Sequence, residues 1–203
     1  YTPLDETLRA LDDMVRSGKV RYIGASNYAA WELMKALGIS DFKGLARYTA
    51  TQVSYSLADR TPELELVPIC LDQGVGIIPY FPLAGGILSG KYSAVDAIPN
   101  GSRAHTDPSF SRFLSEETIT LARRVGEIAE NLGTSSSRLS LAWLMEQPAV
   151  STVIVGATRV EQLQDNLNSL DLTLTEETFQ QLDAISSPFM YGKPFAIYRL
   201  PTR

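Results

Sequence analysis

Residues 150–166, VSTVIVGATRVEQLQDN, pass from a β-branched apolar run through a glycine into a polar segment with helical spacing. This pattern predicts a strand over residues 150–155 followed directly by a helix. Gly156 marks the turn between the two, and Arg159 places a cation where the helix begins. Because the free N–H groups of a helix start attract anions, the sequence raises the question of which anion this arginine meets.

Three similar segments precede this one, each a short apolar run followed by a stretch with helical spacing. The strand-like runs lie near residues 20–25, 49–54 and 75–80, and another helix is predicted before the first of them. Strands that alternate with helices favour a parallel sheet with right-handed crossovers. The predicted fold class is therefore α/β in a single domain, with ligands expected outside the carboxyl ends of the strands.

Composition limits the partners that the protein is expected to have. The 203 residues include 18 basic and 23 acidic side chains without blocks of one sign, for a formal net charge of −5, which argues against a nucleic-acid surface. The only cysteine, Cys70, cannot form an internal disulfide, which fits a reducing compartment. No run approaches the ~18 apolar residues of a membrane span, and the first residues lack a signal-peptide pattern. We expect a cytoplasmic protein that binds neither nucleic acid nor membrane.

Residues suited to binding follow each predicted strand. Taken singly, each has an ordinary structural role: Ser26 caps a helix, Asn27 serves a turn, and Gln52 bonds to nearby backbone. Tyr80 fits a core and Arg159 fits a solvated surface equally well. Together they bring amide groups, an aromatic ring, a glycine-rich loop and a cationic helix start to one edge of the sheet. Those are the parts that a nicotinamide dinucleotide requires.

The glycine-rich loop GGILSGKY, residues 85–92, nearly matches the spacing of a P-loop. A P-loop continues with Ser or Thr to hold Mg²⁺, whereas Tyr92 follows Lys91 here. No apolar strand ending in Asp supplies the second partner of that ion. Hydrolysis of a nucleoside triphosphate is therefore not expected, but a pyrophosphate cradled by backbone N–H groups is compatible with the loop.

Four segments, GKVRYIGASNY, QVSYSL, GIIPYFPLAGGILSGKY and VIVGATRVEQLQDN, in this order and spacing resemble the C-terminal part of an aldo-keto reductase. The resemblance extends from the first helix to about Ser186. It implies a (β/α)8 TIM barrel, of which residues 1–203 would supply the C-terminal half to two thirds, strands five to eight with their helices. It also implies an oxidoreductase that uses NADP(H) on aldehydes and ketones, in a family that includes the potassium-channel β subunits.

The resemblance implies a cofactor-binding role for each matching position. Ser26, Asn27 and Gln52 would hold the nicotinamide carboxamide, and Tyr80 would stack on the nicotinamide ring. The pyrophosphate would lie along the glycine-rich loop, beside Phe81, Leu83, Gly85 and Lys91. The adenosine end would meet the start of the last predicted βα unit, with the 2′-phosphate at Gly156, Ala157, Thr158 and Arg159 and the ribose and adenine near Gln162 and Asn166.

The family's catalytic Tyr, Lys, Asp and His belong to the first four barrel strands, and none has a counterpart here. The single histidine, His105, follows the third predicted strand and is interpreted as a loop residue. We expect these residues alone to be inactive, with the catalytic groups in an N-terminal segment of an intact reductase that acts on a small carbonyl or alcohol. The alternatives are a non-catalytic NADPH sensor or regulatory subunit, a half barrel that stands alone by dimerising, and an α/β module without a nucleotide.

Two segments are candidates for the substrate pocket. Residues 93–115 form a long loop after the third strand, with Phe110 and Phe113, and residues 187–203 form a C-terminal tail. The tail includes the large apolar and aromatic residues Phe189, Met190, Tyr191 and Phe195. Such residues would line an apolar carbonyl site or pack on the barrel rim or a subunit contact. Trp31, Trp143 and Cys70 are predicted to be packed on helix faces, and the sequence predicts neither the particular substrate nor the oligomeric state.

Overall fold

The computed structural model describes residues 2–92, 94–107, 110 and 113–191. Three parallel strands form one sheet in chain order, namely β1 (Ile23–Ser26), β2 (Tyr48–Ser54) and β3 (Gly76–Tyr80). Three helices alternate with them: α1 (Leu4–Arg16), α2 (Ala30–Lys43) and α3 (Leu66–Gln73). The prediction of an α/β fold with parallel strands is confirmed, although β1 begins later than predicted.

The second part of the chain is mainly helical. It contains a short helix α4 (Arg103–Thr106) and the helices α5 (Glu116–Asn131), α6 (Ser136–Met145), α7 (Val160–Leu167) and α8 (Glu176–Ser186). Helix α4 lies within the long loop, and the tail begins with a single 3₁₀ turn, Ser187–Met190. Phe195, named as a candidate pocket residue, lies outside the described residues. Within the described part of the chain, no helix has the length and apolar character needed to cross a membrane.

Residues 150–155 are not the regular strand that the sequence predicts. They run parallel to β3, where the Ser151 N–H donates to the Ile77 carbonyl at 3.0 Å. The next bond of an even ladder needs an N–H from Pro79, and proline has none. The pairing resumes only where the Ile154 N–H donates to the Pro79 carbonyl at 3.0 Å, one residue later than in an even ladder. The prediction of a fourth strand is therefore wrong because of a residue in the neighbouring strand.

The core lies between the sheet and its helices. Along β1, Ile23 and Ala25 are buried among the core residues, whereas Gly24 and Ser26 face the other way, as the alternation of a strand requires. Trp143 of α6 is fully buried, as predicted. Trp31 is not: 49% of its surface is exposed, because Leu33 occupies the inward side of that turn of α2. The prediction that Trp31 belongs to the core is wrong.

The prediction that Cys70 is packed is confirmed. The side chain is buried on α3, among the residues of the core. Burial raises the pKa of the Cys70 thiol to about 11. The thiol therefore stays protonated at neutral pH, and a protonated thiol is a poor nucleophile.

A buried arginine joins the last helix to the loop after β2. Two guanidinium nitrogens of Arg60, Nε and Nη2, donate to the two carboxylate oxygens of Glu63, each at 2.7 Å. Its Nη1 lies 3.0 Å from Asp183 Oδ1 and donates to Ser186 Oγ at 2.8 Å. The guanidinium also lies 5.1 Å from the centre of the Trp143 ring. Because this cation is buried and paired, its loss would leave acidic groups without their partner.

We expect Arg60→Ala to lower the free energy of unfolding by about 3 to 5 kcal/mol, the usual effect of removing one member of a buried ion pair. Urea unfolding followed by circular dichroism measures this loss. Arg123→Ala is the matched control, because Arg123 and Glu127 form an exposed pair at 3.8 Å, and we expect it to cost less than about 1 kcal/mol. Equal small losses in both variants would contradict a stabilising role for the Arg60 cluster.

Candidate functional site

The carboxyl ends of the three strands bring four of the predicted site residues together. The Ser26 hydroxyl donates to the Gln52 carbonyl oxygen at 3.2 Å, and the Asn27 N–H donates to the same oxygen at 3.0 Å. The Tyr80 hydroxyl donates to Asn27 Oδ1 at 2.8 Å. Side-chain and backbone groups at the ends of three strands thus form one polar group at the edge of the sheet, to which Gln52 contributes its backbone carbonyl.

The backbone is strained at this edge. All the non-glycine residues with positive φ in the described part of the chain lie here: Asn27 at 57°, Phe81 at 55° and Ala84 at 49°. Asparagine tolerates this conformation, but a bulky residue such as phenylalanine rarely adopts it. Strain of this kind is concentrated at functional sites, where the surrounding structure holds it in place.

Tyr80 is a hydrogen-bond donor in this group rather than an acid. Burial raises the pKa of its phenol, and the negative charge of Asp59 adds to the increase. The half-buried ring lies edge to face with Phe81, with 5.2 Å between the ring centres. Tyr80 therefore keeps its proton at neutral pH and presents a flat aromatic surface near the polar group.

The glycine-rich loop follows β3 and folds tightly around two glycines. Gly85 has φ of 66° and Gly86 has φ of 102°, and both interrupt a 3₁₀ helix over Ala84–Ser89. A Cβ at Gly85 would clash with the ring of Phe110, and a Cβ at Gly86 would clash with the Lys91 ammonium. Lys91 therefore lies directly over the loop backbone. The Leu83 carbonyl oxygen accepts a hydrogen bond from the Gly86 N–H at 2.8 Å, which closes the turn.

The structure adds a cation that the sequence analysis does not identify. Arg103 on α4 has its guanidinium 5.0 Å from the ring centre of Phe81 and 5.6 Å from that of Phe110. Because Phe110 covers Gly85, the long loop brings Arg103 to the same region as Lys91. No spacing rule fixes the path of such a loop, so the sequence offers no signal beyond the presence of an arginine.

The remaining predicted residues lie at the start of α7. Gly156 and Ala157 are exposed, and the Thr158 N–H and hydroxyl both donate to Gln162 Oε1, at 2.9 and 3.0 Å. Arg159 occupies the N-cap position, and its exposed side chain makes no ion pair or hydrogen bond with the described residues. This group follows residues 150–155, which run beside β3, so it emerges at the same edge of the sheet as Tyr80.

Asn166 lies two turns along α7, and 7% of its surface is exposed. Its backbone carbonyl oxygen accepts from the Ser169 hydroxyl at 2.5 Å, just beyond the end of the helix.

Two further predictions concern residues outside this group. The exposed His105 accepts only from the Gly101 N–H, at 3.5 Å, within its own turn, which agrees with a loop residue. Phe110 and Phe113 contact each other with 5.3 Å between ring centres, whereas the Phe189 carbonyl accepts from the Arg60 N–H and the residue packs on the core. No group of His, Cys, Asp and Glu suited to a metal ion occurs among the described residues.

Comparison with known proteins defines the class. The model of the Aldo/keto reductase family matches residues 1–187. The L-glyceraldehyde 3-phosphate reductase of Escherichia coli K12 is 34% identical over 90% of this chain and 54% of its own length. A putative voltage-gated potassium channel subunit beta of Schizosaccharomyces pombe is 33% identical over 90% of this chain and 55% of its own. The protein belongs to the aldo-keto reductase family.

A solved structure supports the fold. A thermostable aldo-keto reductase in complex with the inhibitor epalrestat superposes with a TM-score of 0.69 at 32% identity, over 91% of this chain and 55% of that one. The Bacillus subtilis protein named uncharacterized oxidoreductase YrpG shows a similar overlap, 91% of this chain against 54% of its own. The TIM-barrel fold of the family is thus supported, and the chain spans about half the length of the relatives it matches.

We expect Gly85→Ala to expose the long loop to proteolysis. A Cβ at this position meets the Phe110 ring, which must leave its place over the glycine-rich loop. Gly133→Ala is the control, because Gly133 has a similar φ of 63° but open space around its Cβ. Both variants should lose about 1 to 2 kcal/mol from left-handed strain, but only Gly85→Ala should be cleaved faster within residues 94–114. Equal cleavage rates would show that Phe110 does not hold the loop.

Proposed function

We propose that this chain supplies the cofactor-binding part of an NADPH-dependent aldo-keto reductase, which transfers a hydride to the carbonyl carbon of a small aldehyde or ketone. One observation carries the proposal: Ser26, Asn27, Gln52 and Tyr80 meet at the carboxyl edge of the sheet. Membership of a reductase family supports it. A cytoplasmic location remains a prediction from the sequence.

The polar group at the strand ends suits a nicotinamide carboxamide. The carboxamide has a carbonyl oxygen that accepts hydrogen bonds and an NH₂ group that donates two. The hydroxyl and amide side chains of Ser26, Asn27 and Gln52 offer partners for both groups. The half-buried ring of Tyr80 offers a flat face for stacking. Fixing the carboxamide and covering one side of the ring determines which face of the nicotinamide is open to substrate.

The glycine-rich loop suits a pyrophosphate. The absence of side chains at Gly85 and Gly86 lets the Phe110 ring and the Lys91 ammonium lie against the loop backbone, because a Cβ at either position would clash with them. Lys91 and Arg103 place two cations beside this backbone. We infer that both cations balance the pyrophosphate charge, and that bound NADPH then supplies the hydride of the reaction.

The start of α7 suits the adenosine 2′-phosphate. Arg159 has no acidic partner among the described residues, and the first turn of a helix offers free N–H groups to an anion. The Asn166 amide, two turns along the same helix, would bond to the adenine or ribose. This combination favours NADP over NAD, since only NADP carries the phosphate.

The catalytic Tyr, Lys, Asp and His are proposed to come from a part of the protein outside residues 1–203. The relatives are about twice as long as the matched region. Helix α7 and the 3₁₀ turn after it, Asn168–Asp171, also present apolar residues that are 44% to 69% exposed, namely Val160, Leu163, Leu167 and Leu170. A helix from the other half of a closed barrel would cover these residues, and residues 1–203 alone would be inactive.

The test is turnover by the full-length protein. NADPH absorbance should fall when a panel of aldehydes and ketones is added, and NADH should support much less turnover. The relative named as a potassium channel beta subunit favours a second candidate, a sensor that binds NADPH without turnover. Tight NADPH binding with no loss of absorbance across the panel would select the sensor, and no binding of either cofactor would refute both.

We expect Arg159→Ala to weaken NADPH binding about tenfold to a hundredfold and to leave NADH binding nearly unchanged. The loss corresponds to one charge-assisted hydrogen bond, roughly 1.5 to 3 kcal/mol. Isothermal titration of each cofactor measures it. Arg103→Ala is the comparison variant, because a pyrophosphate contact is common to both cofactors and should weaken both alike. Equal weakening of NADPH and NADH by Arg159→Ala would remove the 2′-phosphate assignment.

A further inference from the structure

The first turn of α6 holds a side chain of α7. The Ser135 hydroxyl donates to Asp165 Oδ2 at 2.7 Å, and Arg138 Nε lies 2.7 Å from Asp165 Oδ1. Ser135 also caps α6, because its hydroxyl oxygen accepts from the Arg138 N–H at 3.2 Å. Both oxygens of one carboxylate are thus fixed at the start of a helix, where the helix dipole favours a negative charge.

The ion pair between Arg138 and Asp165 is partly withdrawn from solvent. Its two side chains are 33% and 29% exposed, whereas those of the surface pair Arg123 and Glu127 are 68% and 60% exposed and lie 3.8 Å apart. Water and salt screen a close, partly buried pair less than an exposed one. The pair therefore holds α7 against α6 more firmly than a surface ion pair would.

The same turn of α6 also meets the glycine-rich loop. A Cβ added at Gly90 would lie 3.4 Å from Ser136 Oγ, so the end of the loop passes close to the first residue of α6. Helix α6 contacts both the 3₁₀ helix Ala84–Ser89 and α7. The loop proposed for the pyrophosphate and the helix proposed for the 2′-phosphate are therefore held by neighbouring residues of one helical turn.

The exposed apolar residues of α7 lie on the other side of the helix. With 100° per residue, Val160, Leu163 and Leu167 fall within about 60° of one another, and Asp165 lies nearly opposite them. A helix that covers the apolar side would therefore leave the contacts of Asp165 with α6 in place. These contacts determine how α7 lies relative to the glycine-rich loop.

We propose that Arg138 is a positioning residue of the cofactor site, which through Asp165 fixes α7 at the distance from the glycine-rich loop that one NADPH molecule spans. The inference rests on the proposed function, which puts the 2′-phosphate at Arg159 and the pyrophosphate along the loop. A ligand with two anchors binds tightly only when both can be reached at once. Arg138 itself contacts neither cofactor nor substrate in this role.

The position of α7 matters to a ligand that reaches both regions and not to one that meets α7 alone. The residues proposed for the adenosine end, from Gly156 to Asn166, belong to one continuous segment and would move together. Adenosine 2′-monophosphate lacks the pyrophosphate and the nicotinamide, so it would meet only this segment. A displaced α7 should therefore weaken NADPH and leave the fragment nearly unchanged.

Isothermal titration of the full-length protein with each ligand tests the proposal. We expect Arg138→Ala to weaken NADPH binding about fivefold to tenfold and adenosine 2′-monophosphate less than about twofold, since only NADPH depends on the preorganised spacing. Arg138→Lys should restore most of the NADPH affinity, because it keeps a cation for the Asp165 carboxylate. Arg123→Ala is the matched control and should change neither ligand, whereas Arg159→Ala should weaken both.

Asp165→Asn separates positioning from the electric field of the charges. Removal of a negative charge would by itself strengthen the binding of an anion, whereas loss of the ion pair with Arg138 should weaken NADPH. Asparagine has nearly the size of aspartate, so this variant also serves if Arg138→Ala does not fold. The double variant Arg138→Ala with Asp165→Asn should lose no more affinity than the weaker of the two single variants, because both changes act on one contact.

Hydrogen exchange without cofactor gives a measurement that does not depend on the proposed function. Arg138→Ala should speed amide exchange over residues 160–167 and leave α5 unchanged. Unchanged exchange in α7 would overturn the proposal, as would equal weakening of NADPH and the fragment, no weakening of NADPH, or tighter NADPH binding by Asp165→Asn. A wild type that binds neither ligand would refute the proposed function and this inference with it.

Discussion

Ser26 lies beside Gln52 in the ladder between β1 and β2, and Ser54 lies beside Tyr80 in the ladder between β2 and β3. Parallel strands all end at the same edge of the sheet, so this register gathers side-chain and backbone groups from distant parts of the sequence into one hydrogen-bonded group. A slip of one residue would turn each strand over and exchange its core and site residues. The helix packing on one face and the candidate cofactor site at the edge thus depend on the same register.

One residue of β3, Pro79, connects the sheet to the rest of the site. It leaves the pairing with residues 150–155 irregular, and its carbonyl still accepts from Ile154 and so holds that segment alongside. The chain then turns sharply through Phe81 and Ala84, both with positive φ, into the glycine-rich loop. The start of α7 and this loop therefore emerge on either side of Tyr80. The two phosphate regions of a dinucleotide would be reached from one strand end.

The sequence predicts the alternation of strands and helices because both periodicities are local and strong. It does not predict the irregularity of residues 150–155, since the missing N–H belongs to Pro79 in another segment. It also misplaces Trp31, because α2 carries two apolar faces and spacing alone does not say which one turns inward. The larger group of buried residues, Leu33 and Leu37 with small neighbours, is the face that packs. The residue types at the strand ends are readable from the sequence, but Arg103 is not, because its position depends on the path of a long loop.

The positions of Arg159 and Arg103 imply different roles for these two cations within the proposed site. Arg159 sits at the start of a helix that is joined to the sheet, so a group it binds is held by regular structure. Arg103 and its support Phe110 belong to the long loop, whose position rests on ring contacts and on the space above Gly85. Under the proposed function, discrimination between NADP and NAD would depend on the regular structure around Arg159, whereas binding of the pyrophosphate would depend on the long loop. Changes in the loop would therefore alter how long a cofactor stays bound without altering which cofactor is chosen.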